Sequence, residues 1–167
     1  DLGVEAARRH QNRDDLVYVI NGGGVRAEGI AAAAAGLQNL IVVGYQPFER
    51  LAEVLATGDI HVVPLRTGLA SASVPSKAYS TMAAGRPIIA SVDQDTEIAL
   101  MVADADAGLA VSPDDPDAFT AAVEYLADDV ELRTRMGVNA RAWAEKCHSA
   151  RVAAGSYLDL VGRLADP

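Results

Sequence analysis

The sequence predicts an α/β domain, a parallel sheet covered by helices on both faces. Three observations predict it. Short, nearly unbroken apolar runs recur at 16–20, 40–43, 60–63, 88–91 and 109–111, as expected of strands buried on both sides. Stretches with helical spacing separate these runs, so that successive strands can be joined by crossover helices. Glycine or proline closes strand after strand and helix after helix, at Gly22–Gly24, Gly36, Gly44, Gly58, Pro64 and Gly85.

Taken in order, residues 1–10 read as a helix with Leu2, Ala6 and Ala7 on one side, and no strand stands ahead of it. A strand at 16–20 ends in Gly22-Gly23-Gly24. Alanine propensity drives a helix over 25–35, which Gly36 stops. The strand at 40–43 is closed by Gly44, and a helix at 48–57 carries Leu51, Val54 and Leu55 at core spacing. Pro64 ends the strand at 60–63. Ser73 is placed to cap the next helix, with Pro75 in its first turn, where a missing N–H costs nothing. That helix ends at Gly85, and the strand at 88–91 follows at once. A helix then begins near Asp95-Thr96-Glu97, and a short last strand spans 109–111. From Asp117 onward the chain is helical, with Phe119, Val123, Leu126, Leu132, Met136, Trp143 and Leu158 as expected core contacts.

Composition narrows the function. With 167 residues, half of them apolar and 22% charged, the chain can bury one good core. No apolar run approaches the roughly 20 residues that span a bilayer, and no secretory pattern opens the chain. A net charge of −9 argues against a nucleic-acid partner, which demands a basic face. It leaves room for a phosphorylated ligand held by local dipoles. The single Cys147 cannot form an internal disulfide, which suits a reducing cytoplasm. His10, His61 and His148 are scattered without metal-ligand spacing, so neither a metal nor a cofactor is expected. His61 lies among valines and reads as a core or cleft-edge residue before a base. No Gly-x-Ser-x-Gly elbow supports a serine nucleophile.

The candidate site residues sit where strands run into loops. Gly23 and Gly24 belong to a turn that either is simply tight or lets the backbone approach a phosphate. With Arg26 and Ala27 following, it is not a dinucleotide fingerprint. Ser73, Val74, Ser76 and Lys77 start a helix whose free N–H groups and ammonium attract an anion, or else merely begin a helix with a solvated lysine. Gly44 and Tyr45 form either a plain strand-to-helix connection or a platform on which a ring could stack. Glu97 favours the dipole of the helix it opens, or accepts bonds from hydroxyl groups, as Asp95 beside it could.

Asp59-Ile60-His61-Val62-Val63-Pro64-Leu65, Val74-Pro75-Ser76-Lys77, Met82-Ala83-Ala84-Gly85-Arg86-Pro87-Ile88-Ile89-Ala90-Ser91 and Glu97-Ile98 occur in that order. Together they resemble the C-terminal, donor-binding half of GT-B glycosyltransferases, specifically the retaining family 4 in the branch that carries Pro-Ser-Lys. The likeness extends over nearly the whole chain, through 16–24, 39–44 and Gly108-Leu109-Ala110-Val111 with Asp114-Asp115.

The resemblance implies a Rossmann-like domain that binds a nucleotide-sugar donor in polysaccharide, O-antigen or glycolipid assembly. The loop at Gly44-Tyr45-Gln46-Pro47 would lie against the nucleobase, Lys77 and the helix start against the diphosphate, and Glu97 near the sugar. It also implies one domain over 1–167 that lacks the family's first strand, with its basic phosphate loop, and the acceptor-binding domain. The full-length protein is then expected in the cytoplasm, with peripheral membrane association as a further option. One departure stands out: where the family carries a pair of glutamates, this chain has Ala72 and Ser80. Ser80 could still bond a ribose hydroxyl, though a neutral bond is roughly half as strong as a charge-assisted one. A non-catalytic nucleotide-binding or regulatory module, such as an inactive relative, is therefore the second reading.

Overall fold

The computed structural model describes residues 2–68, 75–147 and 150–165. In chain order the elements are α1 (Leu2–Arg9), β1 (Tyr18–Asn21), α2 (Ala27–Ala34), β2 (Leu40–Val43), a 3₁₀ turn (Phe48–Arg50), α3 (Leu51–Thr57), β3 (His61–Pro64) and α4 (Ser76–Ala83). They continue with β4 (Ile88–Ser91), α5 (Glu97–Asp104), β5 (Gly108–Val111), α6 (Pro116–Asp128), α7 (Val130–Cys147) and α8 (Ala150–Ala165). The fold is α/β as expected, and every strand pairing is parallel.

The strands form two ladders instead of one sheet. β1 pairs with β2, and β4 pairs with β3 on one side and β5 on the other. Tyr18 N–H donates to Asn39 O at 2.8 Å at the start of the first ladder, and His61 N–H donates to Pro87 O at 3.0 Å at the start of the second. They nonetheless share a helical layer. Ala6 of α1 packs with Ile89, Phe119, Val123 and Leu126, and Tyr18 and Ile60 border the same cluster. Val4 and Ala7, also on α1, pack with Leu40, Tyr18 and Ile20. On the opposite face α4, α5 and α7 supply Ala78, Met82, Ile98, Val102 and Ala140 against Val63, Ile88 and Ala90. β4 is therefore buried along its whole length, which its unbroken apolar run requires.

The amino ends of the strands are tied by arginines. Arg13 donates to Asp128 at 2.7 Å, joining the segment before β1 to the end of α6. Arg133 donates to the carbonyls of Leu126 and Ala127 at 2.9 Å each, and Arg86 to Ala56 O at 2.6 Å. Arg141 reaches Ala83 O at the end of α4. These guanidiniums satisfy carbonyls that a helix C-terminus leaves unpaired. Asp59, Arg86 and Pro87, at the amino ends of β3 and β4, line one groove with Val130 and Arg133, next to the end of α6. Within each ladder the strands run parallel.

Several sequence expectations need correction. α4 begins at Ser76 with Pro75 as its N-cap and no side-chain cap; Ser73 and Val74 lie outside the described residues. The expected helix at 48–57 is a 3₁₀ turn followed by α3, and Leu51 faces solvent because α3 covers no ladder. Leu158 is 72% exposed: among the described residues α8 packs mainly on α7, and its apolar residues face outward. The last helix therefore does not pack on the sheet, whereas Phe119, Val123, Leu126, Leu132 and Met136 are buried as expected. Strand β1 starts two residues late, at Tyr18, after an ion-paired loop in which Arg13 holds Asp15 at 2.7 Å and lowers its carboxyl to about 2.

Two positions have measurable consequences. A Cβ at Gly108 would lie 1.9 Å from Ile88 O, inside the β4–β5 ladder. Gly108→Ala is expected to lower unfolding stability by about 3 kcal/mol or more, read as a drop in the urea midpoint. The second is Tyr18, whose hydroxyl lies 2.7 Å from His10 Nδ1 while His10 Nε2 lies 3.0 Å from Glu124 Oε1. An ionised Glu124 only accepts, so Nε2 carries the proton and the Tyr18 hydroxyl donates to Nδ1. Burial, aided by Glu124, pushes the Tyr18 phenol up to about 12 from its ordinary 10.0. The folded state then holds this proton more tightly than the unfolded chain. Its stabilising contribution is complete below pH 10.0 and is lost as pH rises to about 12. Urea unfolding between these values should show that decline in the wild type and a shallower one in Tyr18→Phe.

Candidate functional site at the carboxyl edge of the strands

In parallel sheets the loops after the strands gather at one edge, where ligands bind. Here that edge carries two groups of residues. The first lies past β1 and β2. The Tyr45 ring packs over the Gly22–Gly24 turn: a Cβ on Gly23 would sit 3.1 Å from the ring, and Tyr45 OH donates to Gly23 O at 3.3 Å. Absence of a side chain at Gly23 is what lets the ring lie there. The Gln46 amide donates to Gly44 O at 3.2 Å, closing the loop on itself. Tyr45 remains 79% exposed and presents its other face to solvent.

The second group lies past β3, β4 and β5. Gly68 N–H donates to Asp93 Oδ2 at 2.9 Å, and Thr67 Oγ1 donates to Asp114 Oδ2 at 3.1 Å. The loop leaving β3 is thereby fastened to the loops leaving β4 and β5. Tyr79 OH donates to Glu97 Oε1 at 3.1 Å, linking the first turns of α4 and α5, and the Tyr79 ring stacks on Trp143 at 6.5 Å. Partial burial first, and then the Glu97 carboxylate, raise the Tyr79 phenol above its ordinary value. Thr96 Oγ1 caps α5 by accepting from Ala99 N–H at 3.3 Å, so Glu97 is not needed as a cap. Ser91, at the end of β4, is fully buried, and its hydroxyl has no partner among the described residues.

Lys77 is exposed on the first turn of α4, beside Ser76, and no ion pair with it occurs among the described residues. Pro75 offers no side-chain cap, and Ala78 N–H donates to Pro75 O at 3.0 Å; among the described residues no side chain caps the first N–H groups of α4. Ser80 Oγ donates to Ser76 O at 3.3 Å, a bond back along its own helix. Its proton is used locally, and only its lone pairs remain for a ligand. His61 stands at the opposite, amino end of β3, with Nε2 2.8 Å from Leu55 O, and burial lowers its pKa. It is a structural histidine.

Of the residues singled out in the sequence, Gly23, Gly44 and Tyr45 come together, as do Ser76, Lys77, Ser80 and Glu97 around Tyr79. No described hydrogen bond or ion pair links one group to the other. Tyr79, Asp93 and Thr67 were not foreseen. The available signal was position, since Thr67 and Asp93 follow directly on the ends of β3 and β4. Among the described residues no cluster of histidine, cysteine and carboxylate groups could hold a metal ion.

With this edge described, comparison with known proteins becomes informative. The family model described as "Glycosyl transferases group 1" matches residues 1–129. The chain belongs to this family. It is 34% identical over 84 residues to WbjE of Pseudomonas aeruginosa, a probable glycosyltransferase, spanning 50% of this chain and 21% of that protein. Among solved structures it resembles the sucrose-phosphate synthase of Thermosynechococcus elongatus, with a TM-score of 0.72 and 22% identity. That likeness covers 97% of this chain and 42% of the synthase. It also resembles Anabaena HepE, solved in complex with UDP, with a TM-score of 0.75 and 11% identity over 95% of this chain and 44% of HepE. These likenesses show the fold, which is that of GT-B glycosyltransferases. The chain spans less than half the length of each of these proteins.

Trp143 is the sole tryptophan and reports on this edge through Tyr79. An ionised tyrosine beside it quenches its emission. In Glu97→Gln the carboxylate that holds the Tyr79 proton is gone, so quenching on alkaline titration should begin at lower pH than in the wild type. Identical fluorescence titrations would show that Glu97 does not act on Tyr79.

Proposed function

We propose that this domain holds the nucleotide-sugar donor of a retaining glycosyltransferase of the family 4 type, in the branch with Pro-Ser-Lys at α4. The observation that carries the proposal is the start of α4, which no described side chain caps, with exposed Lys77, after β3 at the carboxyl edge of the strands. Outward N–H groups and an ammonium suit a diphosphate, and they stabilise the charge that develops on it as a leaving group. Ser73 and Val74 belong to the same helix start in sequence. Tyr45, with one face open, is placed to stack on a nucleobase, and the backbone at Gly44 and the Gly23–Gly24 turn to approach the rest of the donor. Glu97 and Ser80 are left for hydroxyl groups, of the sugar and of the ribose.

In this reading the domain works by positioning, with no metal or cofactor. The acceptor and any residue assisting the transfer come from a second domain, so residues 1–167 by themselves hold a donor without transferring its sugar. HepE, at 11% identity, was solved with UDP, which makes a uridine nucleotide the first donor to test. WbjE, described as a glycosyltransferase, supports transfer chemistry, and polysaccharide, O-antigen or glycolipid assembly in the cytoplasm or at a membrane surface is the proposed setting. Among the described residues no helix is long and apolar enough to cross a membrane.

Calorimetry on the full-length protein with UDP, GDP and ADP tests the assignment. Lys77→Ala should weaken donor affinity about tenfold to a hundredfold, since a charge-assisted contact contributes roughly 1.5–3 kcal/mol. Its melting temperature should stay unchanged, because a cation on the first turn of a helix does not stabilise it. Unaltered affinity removes Lys77 from the site. Failure of the wild type to bind any of the three favours the non-catalytic module, a reading to which neutral Ser80 and Ala72 lend support.

A further inference from the structure

α4 and α5 lie on the same face of the β3–β4–β5 ladder, and their buried residues fix where two of their polar residues stand. Ala78 of α4 and Ile98 of α5 belong to one core cluster with Met82, Val102 and Ala140. Each is the chain neighbour of a residue in the first turn of its helix: Tyr79 follows Ala78, and Glu97 precedes Ile98. The close-packed core therefore holds the backbones that carry Tyr79 and Glu97, although the two lie 18 positions apart.

The Tyr79 ring is fixed in turn by Trp143 of α7, on which it stacks with an interplanar angle of 21°. A phenylalanine ring would fill that space equally well. What the hydroxyl adds is a donor that meets Glu97 Oε1 at 3.1 Å. Water reaches this bond and competes for it, so its contribution to folding is small. Nor does Glu97 serve its own helix, since Thr96 Oγ1 already caps α5. The effect of the bond falls on the carboxylate itself. An exposed glutamate has several rotatable bonds and samples many rotamers. Held by one oxygen, Glu97 keeps a single orientation, and Oε2 has no recorded hydrogen bond or ion pair among the described residues. A carboxylate only accepts, so this oxygen suits the hydroxyl group of a sugar and not a phosphate.

We propose that Tyr79 is a positioning residue: its hydroxyl sets the Glu97 carboxylate in place before the donor arrives, so that the hydroxyl-bearing sugar of the donor meets an acceptor already ordered. This rests on the donor-binding reading above, and within that reading it assigns Tyr79 to the sugar and not to the nucleotide. Ordering a long side chain at the moment of binding weakens affinity by about twofold to tenfold, and the bond from Tyr79 removes that loss in advance. Partial burial, and then Glu97, raise the Tyr79 phenol above its ordinary value, so the hydroxyl keeps the proton it donates throughout the neutral range.

Calorimetry on the full-length protein tests this by comparing UDP-glucose, GDP-mannose and ADP-glucose, each with its own nucleoside diphosphate. For the pair that the wild type binds, Tyr79→Phe should weaken the nucleotide sugar about twofold to tenfold and leave the nucleoside diphosphate unchanged. The ring and its stack on Trp143 are kept, so the melting temperature should stay close to that of the wild type. Glu97→Ala should weaken the nucleotide sugar at least as much. Adding Tyr79→Phe to Glu97→Ala should weaken it no further, because the hydroxyl then has nothing to hold. Equal losses for the nucleotide sugar and the nucleoside diphosphate overturn the proposal, as does an effect of Tyr79→Phe that persists without Glu97. Unaltered affinity in Tyr79→Phe alongside a loss in Glu97→Ala also overturns it, while the donor reading stands. Glu97→Ala without effect removes Glu97 from the sugar, and the role of Tyr79 with it. Binding of none of these probes overturns the donor reading and the positioning role together.

Discussion

The burial of β4 on both faces is the constraint from which the rest of the domain follows. Ile88 and Ala90 point into the layer made by α4, α5 and α7, and Ile89 points into the layer made by α6 and α1. A strand with no solvent-facing side must find backbone partners on each edge, and β3 and β5 supply them. β5 approaches so closely that only glycine fits at 108. The helices are then held at a fixed height above the sheet, and their amino ends arrive together at the carboxyl edge. The chemistry available there, outward amides and a few polar side chains, is a result of how β4 is covered.

Most of this architecture was legible in the sequence because it is written in apolar runs and glycines. The 88–91 run shows no alternation, and the structure buries all four residues. Gly85 closes α4 with a φ of +70°, donating to Met82 O at 2.9 Å. Where the reading failed, periodicity carried too little information. Leu51 and Leu158 have core spacing, yet both face solvent, on helices that meet their described neighbours by other residues. Spacing shows that a helix has an apolar face and says nothing of whether another element meets it. The separation into two ladders was likewise illegible, since strand order is not encoded in any one strand.

The site was legible to a lesser degree. Glycines after strands and a lysine on a first helical turn fall in the loops past the strands, where Gly23, Tyr45, Ser76 and Lys77 lie. The ties that stiffen it were not visible: Gly68 to Asp93, Thr67 to Asp114 and Tyr79 to Glu97 join residues 18–47 positions apart. Such pairs depend on which loops the sheet brings together, and that is known only once the strands are ordered. The same holds for Ser80, whose hydroxyl turns back to its own helix.

The arginines that clasp the helix ends are of two kinds, and the difference lies in how far solvent reaches their partners. Arg133, Arg86 and Arg141 grip backbone carbonyls, acceptors with no proton to gain in acid. Arg9 and Arg13 grip Asp117 and Asp128, whose carboxylates stand mostly in solvent. Those two pairs rim a contact that is otherwise made by Ala6 against Phe119, Val123 and Leu126 and by His10 beside Glu124. Salt therefore screens these two pairs, while the buried contact of Ala6 with Phe119 and Leu126 goes on holding α1 in place.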